Sequence, residues 1–213
     1  MESALYQPLP DGLTLIETLR YDPAHGPVRG LRHLQRMERT ASLLGLSFDK
    51  MEAAAHLDGV IGDGPIRLRL TFAPGQGVRL ETFPLPQAAK EWRVAISPET
   101  LQSDDPWLQI KTSQRALYDR ARATLPDGVD EWLFLNERSE LAEGTITNLF
   151  LERDGVLLTP PLASGCLPGV LREELLETGR AKEHVLTSRD IQEGPLFVGN
   201  SLRGLIPARL VQA

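Results

Sequence analysis

The sequence predicts a mixed α/β chain of α+β character, folded in two lobes. Three observations carry that prediction: segments of strand period and helix period are interleaved, a proline-bearing stretch at Phe83–Lys90 interrupts both periods, and 213 residues make about one and a half typical domains. The elements follow in order. Leu13 to Tyr21, LTLIETLRY, alternates apolar and polar residues as a strand does and ends at the turn formers Pro23, Gly26 and Pro27. Leu31, Leu34, Met37, Ala41 and Leu44 recur at three- and four-residue steps, an apolar stripe on a helix that Gly45 can stop. Asp49 with Glu52 is a capping-box-like start for a second helix through Met51, Ala55 and Val60. Pro65–Phe72 and Val78–Phe83 alternate across Pro74-Gly75-Gln76-Gly77 and read as a hairpin.

The expected boundaries are 1–85 for a smaller α+β N-terminal lobe and 91–213 for a larger C-terminal lobe, joined through the stretch Phe83–Lys90. The second half opens with a strand at Trp92–Ile96. A short extended stretch, Trp107–Ile110, then leads through Lys111 into a helix over Ser113–Leu125. Strands follow at Glu131–Leu135, Ile146–Glu152 and Val156–Thr159, the last two joined by Asp154-Gly155, a strong two-residue hairpin signal. A helix starts near Pro168, where a first-turn proline and Glu173 and Glu174 suit the positive helix terminus. Short strands at Leu196–Gly199 and Leu205–Val211 come last.

Composition narrows the functions. There are 23 basic and 29 acidic residues, a net charge of −6, so the overall field repels phosphate backbones and anionic lipid, and neither nucleic acid nor membrane is an expected partner. The first residues, MESALYQPLPDG, show no basic segment followed by an apolar one, and the single cysteine, Cys166, builds no disulfide framework. Both point to a reducing, cytoplasmic setting. The signatures of phosphate loops, dinucleotide folds, serine-hydrolase elbows and zinc-protease helices are missing. His25, His33, His56 and His184 are scattered, so no metal site is expected, and Cys166 reads as a small buried or loop thiol.

Four separated segments carry the chemistry. They are Leu31-Arg32-His33-Leu34-Gln35-Arg36-Met37, Lys111 ahead of a helix, Glu140 to Phe150 (ELAEGTITNLF), and the pair Leu167-Pro168-Gly169-Val170-Leu171-Arg172 and Gly199-Asn200-Ser201-Leu202-Arg203-Gly204. Taken singly, each has an ordinary explanation: a solvated helix arginine, a surface lysine, a loop acid, an asparagine holding a turn, a proline and glycine starting a helix.

In order and spacing, together with T-P-P-L-x-x-G-x-L-P-G-V-x-R, the four segments closely resemble the class IV, or fold type IV, pyridoxal-phosphate enzymes. That family holds branched-chain and D-amino-acid aminotransferases and 4-amino-4-deoxychorismate lyase. The resemblance runs from Leu15 to Ala208 and is strongest over Asp130–Arg172. It implies a two-lobed, D-amino-acid-aminotransferase-like fold whose C-terminal lobe binds pyridoxal 5'-phosphate, and a homodimer. It also implies residue roles: Lys111 the Schiff-base lysine and Arg36 a phosphate ligand, with Glu143 partner to the pyridine nitrogen. Asn148 and Gly169 belong to the cofactor site, Val170 and Leu171 give backbone N–H groups to the phosphate, and Ser201 or Asn200 adds polar contacts. Arg20 and Arg203 are candidates for a substrate carboxylate.

Those residue types suit those roles. A lysine that carries a carbonyl cofactor needs surroundings that lower its pKa, and its released amine can act as general base. A carboxylate against the pyridine nitrogen keeps the ring protonated and electron-withdrawing, while a helix N-terminus with a guanidinium suits a phosphate. The stretch Glu17-Thr18-Leu19-Arg20 and the loop Asn200 to Gly204 look more like the lyase than like a branched-chain transaminase. A non-catalytic cofactor carrier would not need both Lys111 and Glu143. The chain departs from the family in having Gln114 where several members have asparagine, and no tyrosine five positions after Lys111. No partner for the cofactor's phenolic oxygen is therefore assigned.

Overall fold

The computed structural model describes residues 8–212, so the reading of the chain's first residues falls largely outside the described ones. The chain divides into two compact units. The first extends to Gln87 and takes in Ile110–Gln114; the second comprises Ala88–Gln109 and the chain from Arg115 onward. Lys111, expected with the C-terminal lobe, is therefore grouped with the first unit.

In chain order the first unit holds β1 (Leu15–Asp22), β2 (Gly26–Pro27), α1 (Gly30–Leu43), α2 (Lys50–Asp58), β3 (Ile66–Ala73) and β4 (Gly77–Pro84). Its antiparallel sheet has the order β2-β1-β3-β4. Strand alternation on β1 turns Leu15, Glu17 and Leu19 to one face, and these buried residues stand opposite Phe72, Leu70 and Leu68 of β3. Helix α1 buries Leu34, Met37 and Ala41, the expected stripe, while Leu31 is largely exposed. Asp49 caps α2 by accepting from the N–H groups of Met51 and Glu52. The helix buries Ala53 and Leu57 and leaves Met51 79% exposed.

The second unit holds β5 (Trp92–Leu101), α3 (Ala116–Ala123), β6 (Glu131–Asn136), β7 (Leu141–Gly144), β8 (Asn148–Arg153), β9 (Val156–Thr159), α4 (Val170–Glu177), β10 (Ala181–Glu183), β11 (Leu196–Asn200) and β12 (Gly204–Leu210). They form one curled mixed sheet of order β10-β9-β8-β11-β12-β5-β6-β7. Its strands read as nearly continuous apolar runs because both faces are covered: Val94, Leu133, Leu149 and Val198 pack in one cluster, Phe134 and Trp132 pack with α3, and Phe150 packs against Leu171 and Leu175 of α4. Asp154 and Gly155 both have positive φ, 54° and 77°, as the two-residue turn between β8 and β9 requires.

Three expectations are corrected. Trp107–Ile110 is not extended: Pro106–Gln109 form a 3-10 turn, started by Asp105, whose carboxylate accepts from the Trp107 N–H at 2.9 Å. The following helix begins at Ala116 rather than Ser113. The backbone groups of residues 111–113 are used elsewhere: Ile16 N–H donates to the Lys111 carbonyl (3.0 Å), Ser113 N–H donates to the Thr14 carbonyl (2.8 Å), and Leu15 bridges Thr112. Pairing with the start of β1 therefore overrides helix propensity there. Finally, Ile146 precedes its strand, which begins at Asn148, and β2, β7 and β10 are additional short strands.

Candidate active site

In the first unit, the alternation that turns Glu17 inward meets His33 and Arg36, three residues apart on one face of α1. Arg36 donates from Nε to Glu17 Oε1 (2.8 Å) and from Nη2 to Oε2 (2.6 Å), a bidentate pair, and His33 Nδ1 lies 2.6 Å from Oε2. All three side chains are buried. Burial alone would raise the Glu17 carboxyl, but the charges and hydrogen bonds of Arg36 and His33 outweigh it and hold the group at about 2. His33 is pushed below its usual value chiefly by burial, against the pull of Glu17; the charges of Arg36 and Lys111 act in the same direction as burial. Lys111 is half-buried on the segment bonded to β1. Arg36, expected to bind phosphate, is thus presented by Glu17, a partner that sequence reasoning missed.

In the second unit, Glu143 lies on β7, whose four residues are all buried. Leu133 stands opposite Gly144 and Leu135 opposite Leu141, so β7 has one residue more than β6 between those pairs. This irregularity at Ala142 and Glu143 is the kind that re-aims a side chain. Glu143 Oε1 accepts from the Tyr118 hydroxyl at 2.5 Å, and Oε2 accepts from the Leu167 N–H at 3.0 Å. Tyr118 is buried on α3, edge-on to Phe134. Burial, then the neighbouring Glu143, raises its phenol well above the usual tyrosine value, so the hydroxyl keeps its proton and is the donor.

The segment after Glu143 is set by Glu131, a buried carboxylate on β6. It accepts from the N–H groups of Thr145 (3.1 Å) and Ile146 (3.2 Å), from the Thr145 hydroxyl, and from the Thr147 hydroxyl at 3.1 Å. Burial is the largest influence on its carboxyl and raises it, while these donors pull the other way. Asn148 donates from Nδ2 to the Leu167 carbonyl at 2.9 Å. Leu167 is therefore held at both backbone groups, its N–H by Glu143 and its carbonyl by Asn148, two residues ahead of Gly169 at the start of α4. Gly169 is the N-cap and supplies no side-chain cap to the first N–H groups of the helix, those of Val170 and Leu171 among them.

The turn at residues 200–203 is closed by Asn200, which accepts from the Arg203 N–H (3.0 Å) and donates to the Ile146 carbonyl (3.1 Å). Ser201 is buried. Arg203 stacks its guanidinium on Trp92, 5.2 Å from the ring centre, and Arg20 pairs with Asp22 at 3.1 Å. The Cys166 thiol is buried, and burial with Glu143 nearby raises it to about 12, which leaves it no role as a nucleophile at neutral pH. Among the described residues no His, Cys, Asp and Glu group could hold a metal ion, and no helix is long and apolar enough to cross a membrane.

The sequence profile of the amino-transferase class IV family matches residues 14–211. A solved structure from Mesorhizobium loti named "Putative amino-acid aminotransferase" is 43% identical, with a TM-score of 0.87 over 93% of this chain and 100% of that one. The 4-amino-4-deoxychorismate lyase of Pseudomonas aeruginosa is 26% identical, with a TM-score of 0.78 over 92% of this chain and 82% of that one. A Thermotoga maritima protein named "Probable branched-chain-amino-acid aminotransferase" is 26% identical over 209 residues, 91% of this chain and 75% of its own length.

Proposed function

The chain belongs to the amino-transferase class IV family of enzymes, and from that membership we propose that it works with pyridoxal 5'-phosphate, carried covalently on Lys111, on a substrate bearing an amino group. The observation that carries this reading is the pairing, within one unit, of a buried carboxylate held by two donors with a helix start that no side chain caps. The residues present fit the cofactor. Glu143 would accept a hydrogen bond from the protonated ring nitrogen and keep the proton there. Val170 and Leu171, which follow Gly169, would offer backbone N–H groups to phosphate oxygens; Arg36 is the guanidinium that the family resemblance assigns to the phosphate, and Glu17 fixes its orientation within the first unit. Asn148 acts through the Leu167 carbonyl, while Ser201 and Asn200 line the neighbouring turn.

When bound, the cofactor supplies a ring that accepts the electrons left behind when a bond at the carbon next to the amine breaks. Lys111 takes the proton from that carbon as general base. His33, buried beside Glu17 and depressed chiefly by burial and in part by the Arg36 and Lys111 charges, stays neutral at pH 7 and adds no charge of its own beside them. Arg20 and Arg203 are the candidates for a substrate carboxylate. Each would first exchange or share its present partner, Asp22 or the Trp92 ring.

The activity proposed first is of the 4-amino-4-deoxychorismate lyase type, supported by the resemblance of Glu17–Arg20 and of the 200–204 turn to that enzyme. The second reading is an amino-acid aminotransferase of branched-chain or D-amino-acid type, favoured by the 43% identity to the Mesorhizobium loti structure. A homodimer in the cytoplasm completes the proposal. Two incubations separate them, one with aminodeoxychorismate alone and one with 2-oxoglutarate and an amino donor. Release of pyruvate and 4-aminobenzoate with no keto-acid acceptor supplied supports the lyase. Glutamate formed from 2-oxoglutarate and an amino donor, with no 4-aminobenzoate, replaces it with the aminotransferase.

A further inference from the structure

We propose that Tyr118 is a positioning residue for Glu143: its hydroxyl fixes the carboxylate as an ionised acceptor. The proposal rests on the assignment of Glu143 to the ring nitrogen and adds to it a residue seven positions after Lys111 that no motif marks.

The geometry leaves the carboxylate little freedom. One oxygen takes the Tyr118 hydroxyl at 2.5 Å and the other takes the Leu167 N–H at 3.0 Å, so both are engaged and the plane of the group is set. Tyr118 is itself clamped. Its ring meets Phe134 edge to face at 5.4 Å between centres, and the Arg115 guanidinium lies 5.6 Å from the ring centre. Arg115 is anchored in turn to the Thr145 carbonyl at 3.1 Å and to Asp119 at 2.9 Å. A line of contacts thus runs from the residue two places past Glu143, through Arg115 and Tyr118, back to the carboxylate.

Two donors on a buried carboxylate favour its charged form over its protonated form. A protonated Glu143 could not hold a proton on the ring nitrogen; an anion can. The raised Tyr118 phenol completes the division of labour, because the proton of this hydrogen bond stays on the tyrosine and the negative charge stays on Glu143.

The test compares wild-type, Y118F, E143Q and Y118F/E143Q holoenzymes, with Y118M as a second hydroxyl-free variant. Two quantities are read besides activity: the dissociation constant of pyridoxal phosphate, and the pH at which cofactor labelled with 15N in the ring loses its ring proton, followed by NMR. Y118F keeps the ring against Phe134 and removes only the oxygen. We expect it, and Y118M, to weaken cofactor binding about tenfold, the scale of one hydrogen bond to a charged group, and to move ring deprotonation to lower pH. In the E143Q background the same change should alter either quantity less than twofold. If E143Q moves both quantities and Y118F and Y118M move neither, Tyr118 only packs and the proposal falls while Glu143 keeps its role. A full Y118F effect persisting in E143Q also overturns it. If E143Q itself changes nothing, the assignment of Glu143 falls, and this inference with it.

Discussion

A Cβ placed on Gly169 would lie 1.9 Å from Asn148 Oδ1 and 3.1 Å from its Cγ, so the asparagine approaches this peptide more closely than any side chain there permits. The φ of Gly169 is −68°, which suits every residue; space, not backbone strain, requires the glycine. G169A should therefore displace Asn148 or the loop and cost about 1–3 kcal/mol in urea denaturation, with cofactor affinity falling alongside. An alanine variant as stable as wild type would show that the Asn148 contact is dispensable. At this scale the sequence speaks where a motif singles out a residue, as at Lys111, Glu143 and Gly169, whose roles are proposals. It is silent where a role comes from a distant partner. Nothing local to Tyr118 indicates Glu143, which is 25 residues away, and nothing in Glu17 announces Arg36 or His33, because those contacts exist only once a strand and a helix are packed together.

At the scale of elements, the β1–α1 packing is fastened by one buried anion between a guanidinium and an imidazole, and its response to acid follows from the sign of each shift. Glu17 is depressed to about 2, so its contribution is present above its ordinary value of 4.5 and is lost as pH falls from there towards 2. His33 is also depressed; its contribution is complete above 6.5 and is lost as pH falls below that value, because the unfolded chain then binds the proton more readily. Stability should fall in two stages. H33Q should flatten the upper stage, and E17Q the lower. E17Q should also cost about 3–5 kcal/mol at pH 7, since it leaves Arg36 buried without its counter-charge. Denaturant titrations across pH 7 to 3 check both, and an E17Q protein as stable as wild type would refute the account of this pair. Elements with a local cause were readable: the Asp49 cap, the hairpin of β3 and β4 and the Asp154-Gly155 turn each declare themselves within a few residues. Those with a tertiary cause were not. Residues 111–113 have helix-compatible neighbours but are captured by β1, and the four residues of β7 are too few to show a period.

Over the whole molecule, interleaved periods made the α/β class legible, and the proline-bearing stretch made two lobes legible. The grouping of Ile110–Gln114 with the first unit was not, since it depends on backbone bonds to Thr14 and Ile16 across about a hundred residues. The net charge of −6 gives a field that repels polyanions on average, yet the proposed ligand carries a phosphate. If the backbone N–H groups at the start of α4 hold that phosphate as proposed, the binding should weaken only modestly with salt, because Val170 and Leu171 are buried. A steep loss of cofactor affinity between low and moderate ionic strength would place the phosphate on the exposed surface instead.

The central claim is that this enzyme carries pyridoxal phosphate on one particular lysine, and the chain has four to choose from: Lys50, Lys90, Lys111 and Lys182. Borohydride reduction of the holoenzyme followed by peptide mass mapping reads the answer directly. The account predicts the phosphopyridoxyl mass on the peptide containing Lys111, at one equivalent per chain, and its disappearance in K111A. A label on any of the other three lysines, or a protein that takes up no cofactor at all, would contradict it.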